Sequence, residues 1–259
     1  MGSLSADGTR HPPSWESLLN GALAYVRRPV DRKFAKQLIH ESKFLDAAEV
    51  IRECCNAADF GGYIQEMLSK PHYKPSDIHK LILEIDPKVV ITTNYDTIYD
   101  DYCKSGSAAD GYSISRYHDT VLVENLRSSV RLVIKAHGCI SDPEKLVLSR
   151  SSYYKARRDY SGFYAVLDAL FLTQTILFIG CSLSDPDIQL VLENANISAK
   201  SAHPHYALVE KQKHAAMRSA IKLIHNIELV EYDAGDHAAA TTALKDLRER
   251  VLAHRALSA

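Results

Sequence analysis

Three short runs in this chain end in side chains able to meet a ligand: "TTNYD" (92–96), "KAHG" (135–138) and "IGCSLSDPD" (179–187). The first gathers Thr92, Thr93, Asn94 and Asp96, the second sets His137 before Gly138, and the third combines Gly180 with Ser182. A neutral imidazole titrates close to working pH, so His137 suits proton transfer. Asn94 and Asp96 can either contact a polar ligand or cap the helix that follows them. Each run also has a structural explanation: a helix cap at Asn94 or Asp96, a hydrogen-bonded core histidine at His137, a tight strand-to-helix turn at Gly180 and Ser182. What favours chemistry is that all three stand directly after predicted strands. Asp185 and Asp187 form a possible carboxylate pair, but Asp185 before Pro186 reads better as an N-cap with proline at the first helical position, and Asp187 suits the first turn.

The elements that must position these residues change character along the chain. From Trp15 to about Leu83 the pattern is helical, with "SWESLLNGALAYV" starting on Ser14 as N-cap, then "SKFLDAAEVIRECC", and "SDIHKLILEI" after a loop bracketed by Pro71 and Pro75. After residue 87, short apolar runs alternate with helical patterns: 88–93, 131–138, 145–149, 174–182, 205–210 and 227–232. Helices are expected between several of them, notably over 160–172, 185–195 and 237–256. Such alternation predicts an α/β fold, a Rossmann-like doubly wound, mainly parallel sheet with a helical layer contributed by residues 14–86. Ligands of such sheets sit outside the carboxyl ends of the strands, where the three polar runs stand.

Composition permits this plan. With 259 residues, 46% of them hydrophobic, the chain can bury a full core as one domain over 1–259, or as one domain with a large insertion. Lys plus Arg number 31 against 32 Asp plus Glu, and the net charge of −1 gives no general attraction to nucleic acid or to an anionic membrane. The basic and aromatic stretch "YYKARRDYSGFY" (153–164) reads as an amphipathic helix surface, so no direct nucleic-acid contact is expected. Cysteines at 54, 55, 103, 139 and 181 show no CxxC pair and no zinc spacing, which predicts reduced thiols, a cytoplasmic location and no metal. No apolar run approaches the roughly 18 residues of a membrane span, and no signal-peptide pattern opens the chain. The remaining histidines, including His203, His205, His214 and His225, read as surface or core residues, and Tyr153 and Tyr154 as packing.

Taken together, the strand-end motifs resemble those of the Sir2 superfamily, whose TQNID, HG and GTSL are matched here by "TTNYD", "AHG" and "GCSL". The sequence is still more similar to the Sir2-like branch of bacterial antiviral-defence NADases, in which TTNYD, HG followed by a "DPE…LVLS…Y" stretch, and "FIGCSLSDPDI" recur. Two departures stand out. The four-cysteine zinc module of the Sir2 deacylases is absent, which disfavours protein deacylation. The family's opening strand and GAGxS phosphate loop are represented only by "SLSADG" and "PSW", with Ser3 where the second loop glycine is expected, so either the first strand and the start of the loop lie upstream or the architecture is rearranged.

The resemblance implies an NAD+ glycohydrolase that releases nicotinamide and ADP-ribose, with NAD+ as substrate, acting as the NAD-depleting effector of an antiphage system. By the same resemblance His137 is the base, Asn94 orients ribose and water, and Asp96 contacts the nicotinamide carboxamide. Thr93, Gly138, Gly180 and Ser182 line the NAD+ site, with Ser5 and Asp7 as remnants of the phosphate loop. A homo-oligomer and a regulatory defence partner are implied, since an enzyme that destroys NAD+ must be restrained. The competing reading is a module that holds NAD+ or ADP-ribose as a signal without turning it over.

Overall fold

The computed structural model describes residues 3–105, 112–181, 183, 185–198, 203–211 and 214–258. They form two compact units, Gly2–Tyr160 and Ser161–Ala259.

The first unit opens with five helices: α1 (Trp15–Ala22), α2 (Pro29–His40), α3 (Phe44–Cys54), α4 (Ala57–Leu68) and α5 (Asp77–Ile85). Local chemistry fixes their starts. The Ser14 side chain accepts the Ser17 amide at 3.2 Å and the Asn56 side chain the Ala58 amide at 2.8 Å, while Ser76 and His79 satisfy one another as a capping box. Apolar residues at helical spacing then bury one face of each helix, so that Leu19, Val26, Ala35, Ile51 and Ile64 share one core. Tyr95, Cys139, Ile140, Leu146 and Leu148 belong to that same core. The helical layer therefore packs directly against the loops that follow the strands.

The strands of this unit are β1 (Val89–Thr92), β2 (Tyr112–Arg116) and β3 (Arg131–Lys135), with α6 (Ile98–Ser105) and α7 (Leu122–Arg127) between them and α8 (Arg150–Asp159) after. All pairings are parallel and the spatial order is β1-β3-β2, so β3 lies between the other two. Leu132, Val133 and Ile134 are wholly buried, as a central parallel strand covered on both faces requires. Each such side chain stabilises the fold by about 1.5–3 kcal/mol.

Two expectations are corrected here. Residues 145–149 are not a strand: Pro143–Lys145 is a 3₁₀ turn, and the segment after it is buried without joining a sheet. Its polar groups are satisfied otherwise. Val147 donates to the His137 carbonyl (3.0 Å) and Leu148 to Ser152 Oγ (2.8 Å), while the Leu146 and Val147 carbonyls accept from Arg52 and Tyr95. Conversely, β2 was not expected, because its Tyr-Ser-Ile-Ser-Arg sequence carries a single aliphatic residue. Helix α8 is pinned to α3 at two points: the Arg150 guanidinium binds both Asp46 oxygens, and the Ser151 amide donates to Glu49 at 2.8 Å.

The second unit contains α9 (Ser161–Thr173), β4 (Leu177–Ile179), α10 (Pro186–Ser198), β5 (His205–Glu210), α11 (Ala215–His225), β6 (Ile227–Tyr232) and α12 (His237–Ser258). Its strands run parallel in the order β4-β5-β6. The molecule is thus mixed α/β with parallel, Rossmann-like sheets, as expected. The stretch 153–164 covers the end of α8 and the start of α9, with Tyr153 buried and Tyr154 exposed beneath the Arg158 guanidinium.

Candidate functional site

β1 and β3 are neighbours with Thr92 opposite Lys135, so the residues that follow them emerge at one edge of the sheet. Past β1 the chain turns sharply, the Asn94 amide donating to the Thr92 hydroxyl at 3.1 Å. Thr93 is half-buried and Asn94 exposed. Tyr95 points inward, its hydroxyl donating to the Val147 carbonyl at 2.8 Å, and its own carbonyl accepts the Ile140 amide at 2.8 Å. Asp96 Oδ1 accepts the Ile98 amide at 3.0 Å and so caps α6.

Past β3, the Ala136 amide donates to the Thr92 carbonyl at 2.9 Å. His137 is only 3% exposed, with its ring edge-on to Tyr153 at 5.1 Å between centroids. Gly138 adopts φ +84°, and a Cβ there would lie 2.7 Å from the Lys145 carbonyl oxygen, so glycine is required both by conformation and by space. Beneath both loops lies Lys135, 1% exposed. Its ammonium meets the Asp100 carboxylate at 3.1 Å and donates to the Asp96 carbonyl. Burial pushes the Asp100 carboxyl above its ordinary range, against the opposing pull of Lys135.

Ser5 and Asp7 occupy a closed turn at the start of the same unit. The Asp7 carboxylate accepts the Ser5 hydroxyl, then the Thr9 hydroxyl and amide, and these bonds lower its pKa to about 2. Ser5 is buried and its Oγ accepts the Arg10 amide at 3.0 Å; Gly8 supplies a φ of +76°. The turn is tied to the loop before α5 by Ala6 donating to Pro71 and Lys74 donating to Leu4. Burial raises the Tyr73 phenol, Arg10 opposes that rise, and Asp96 adds to it, so charges of the turn and of the post-β1 loop act on one side chain. Burial likewise lowers the His79 imidazole, with Asp96 working against it. Thr93, Asn94, Asp96, His137 and Gly138 are thus brought to one sheet edge, with Ser5 and Asp7 in the same unit.

Gly180 belongs to the second unit, where it ends β4 with φ +58°. Ser182 lies outside the described residues. Asp185 Oδ1 accepts the amides of Asp187 and Ile188 at 3.0 and 3.1 Å, as an N-cap does, and buried Asp187 accepts the Tyr164 hydroxyl at 2.8 Å. Two clefts lie apart from these residues. One of about 240 Å³ in the first unit is lined by Arg52, Tyr117, Lys145, Ser149, Lys155 and Tyr160 among others, but by neither Asn94 nor His137. The other, about 180 Å³ in the second unit, lies at the amino ends of β4, β5 and β6, with His203, His205 and His225 in its wall. It is at the opposite strand ends from Gly180.

The family description "SIR2-like domain" matches residues 88–230, more than half of the chain and the whole span from β1 into β6. The chain belongs to the SIR2-like domain family. Among curated proteins, this SIR2-like chain is 27% identical over 138 residues to the NAD(+) hydrolase ThsA of Enterococcus faecium, covering 52% of this chain and 28% of that protein. It is 24% identical over 144 residues to the ThsA of Acinetobacter baumannii, covering 55% and 29%. Defense-associated sirtuin 2 of Bacillus subtilis is 32% identical over 127 residues, covering 46% of this chain and 12% of that protein. The alignments therefore span less than a third of each relative's length. No helix among the described residues of the SIR2-like chain is long and apolar enough to cross a membrane. Lys135 and Asp100 escaped the sequence reading; the available signal was a lysine closing an apolar strand in a parallel sheet, where solvent is excluded from both faces.

Proposed function

We propose that this SIR2-like chain hydrolyses the bond between nicotinamide and ribose in NAD+, giving nicotinamide and ADP-ribose. The observation that carries this reading is the placement of Asn94 and His137 at the carboxyl ends of two directly paired parallel strands, the edge where such sheets bind ligands. Relatives named NAD(+) hydrolases support an NADase-type activity. In this reaction the glycosidic electron pair leaves with the pyridinium nitrogen, which becomes neutral nicotinamide, while the ribose carbon passes through an oxocarbenium-like state. Asn94 holds the ribose hydroxyls and the attacking water; His137 accepts the water proton as the new carbon–oxygen bond forms. Asp96, with one oxygen engaged by the Ile98 amide, presents its carboxylate to the nicotinamide carboxamide. Thr93 and Gly138 line the remainder of the NAD+ site, and Ser5 and Asp7 its phosphate side. The enzyme acts in the cytoplasm as the NAD-depleting effector of an antiphage system, as a homo-oligomer under a regulatory partner.

The test is incubation with NAD+ followed by chromatography of nicotinamide and ADP-ribose. Both products are expected without any acyl-lysine peptide. Release that requires such a peptide makes the protein a deacylase, and NAD+ binding without release makes it a sensor; either result overturns the proposal.

A further inference from the structure

We propose that Lys135 is the positioning residue of the strand-end site, its buried ammonium fixing the post-β1 loop that carries Asn94 against the strand that carries His137. For activity alone the inference rests on the NAD-cleaving reading; the positional claim stands on geometry.

Lys135 closes β3, two residues before His137, and is 1% exposed. A lysine seldom stays in a protein interior without a defined partner, because its desolvated ammonium must be met by charge and hydrogen bonds. Here both partners come from the segment after β1. Asp100, in the first turn of α6, neutralises the charge at 3.1 Å, and the Asp96 carbonyl accepts a hydrogen bond from the same Nζ. That carbonyl belongs to the residue whose side chain caps α6, so one ammonium holds the loop, the helix start and the strand end together.

Two backbone bonds complete the clamp, Ala136 to the Thr92 carbonyl and Ile140 to that of Tyr95, at 2.9 and 2.8 Å. Between these ties Asn94 is exposed, with its amide donating to the Thr92 hydroxyl. An exposed asparagine keeps a fixed orientation toward a reacting atom only if the backbone on either side is held. Lys135 supplies the hold on its carboxyl side. An apolar residue would fill the volume and close the strand equally well, but it would offer the Asp96 carbonyl no donor. The lysine adds to the Tyr95–Ile140 bond a second tie, from the end of β3 to the Asp96 carbonyl.

The double variant Lys135→Met/Asp100→Leu tests this, since removing both charges avoids stranding one, and apolar replacement of a buried pair is often neutral for stability. Its thermal midpoint should stay near that of the parent, whereas Lys135→Met alone should unfold at lower temperature. Hydrogen exchange at amides 94–97 should accelerate by about tenfold or more in the double variant, with exchange in 131–134 unchanged. Turnover of NAD+ should fall on the order of 100-fold, with affinity for NAD+ altered by no more than about threefold, because misplacement acts on the reacting geometry. Asp100→Glu is the companion variant: it keeps the ammonium, a counter-charge and the bond to the Asp96 carbonyl, so exchange at 94–97 should stay near the parent value. Parental exchange at 94–97 in a folded double variant overturns the proposal, as does a loosened loop with undiminished turnover. Equal loosening by Asp100→Glu overturns it too, and if the double variant fails to fold, Lys135→Met measured below its own thermal midpoint takes its place in the exchange comparison. If the parent itself does not cleave NAD+, the functional reading falls, and exchange alone decides the role of Lys135.

Discussion

At the scale of single residues the proposed site joins two side chains with unlike surroundings, a buried imidazole and an exposed amide. His137→Ala should lower NAD+ cleavage by roughly 100- to 10,000-fold while NAD+ binding persists, because a base acts on the barrier rather than on the bound state. Asn94→Ala should do the same through lost orientation. Parallel measurement of nicotinamide release and of NAD+ binding checks both, and full turnover in either variant removes that residue from the mechanism. Asp7 provides a separate check on the amino-terminal turn. Its folded pKa is depressed from an ordinary 3.8 to about 2, so the turn's contribution is present above the unfolded value and is lost as pH falls through about 2. Carbon-13 titration of the Asp7 carboxyl should show that low midpoint, and Ser5→Ala should move it upward. The strand-end positions of Asn94 and His137 were legible because a polar side chain after an apolar strand is conspicuous. Lys135 was not, because a lysine at a strand end looks like one that reaches solvent, and nothing local in sequence announces the Asp100 that neutralises it.

Among elements, those with strong local signals were legible and those defined by partners were not. β1, β3, β5 and β6 announce themselves as β-branched and aliphatic runs, and Asp185 before Pro186 announces the start of α10. β2 is recruited by pairing with β3, despite having little apolar character of its own. Leu146 to Leu148 show the reverse: their hydrophobicity is that of a buried strand, but His137, Ser152, Arg52 and Tyr95 take up the hydrogen bonds that a sheet would have taken. That segment approaches so closely that Gly138→Ala should destabilise by about 1–3 kcal/mol, from positive φ combined with contact on the Lys145 carbonyl. Asp185→Ala should cost about 0.5–2 kcal/mol through loss of the α10 cap. Urea denaturation measures both, and a neutral Gly138→Ala would show that the loop after β3 is free to move.

For the molecule as a whole, acid sensitivity should begin in the histidine range. Burial holds the imidazoles of His79, His118, His205 and His225 below their ordinary pKa. The unfolded chain therefore binds protons first, so the stability these rings contribute is complete above an unfolded pKa of about 6.5 and declines as pH falls below it. Asp100, whose pKa burial raises, works in the opposite sense, but starting from the carboxylate range. Urea midpoints should accordingly drop between about pH 7.5 and about pH 5.5, and an unchanged midpoint would mean that the rings are not held neutral. The pinning of α8 by α3 bears on how such domains can be inherited. Asp46 and Glu49 grip the start of the helix that lays Tyr153 against His137, although roughly a hundred residues of chain separate the two helices. A recombination breakpoint near residue 87 would look harmless, since it divides the helical stretch from the strands at a loop. It would nevertheless part Asp46 from Arg150 and Glu49 from Ser151, so hybrids of divergent parents should keep their fold yet misplace the histidine unless both halves of each pair descend from the same parent.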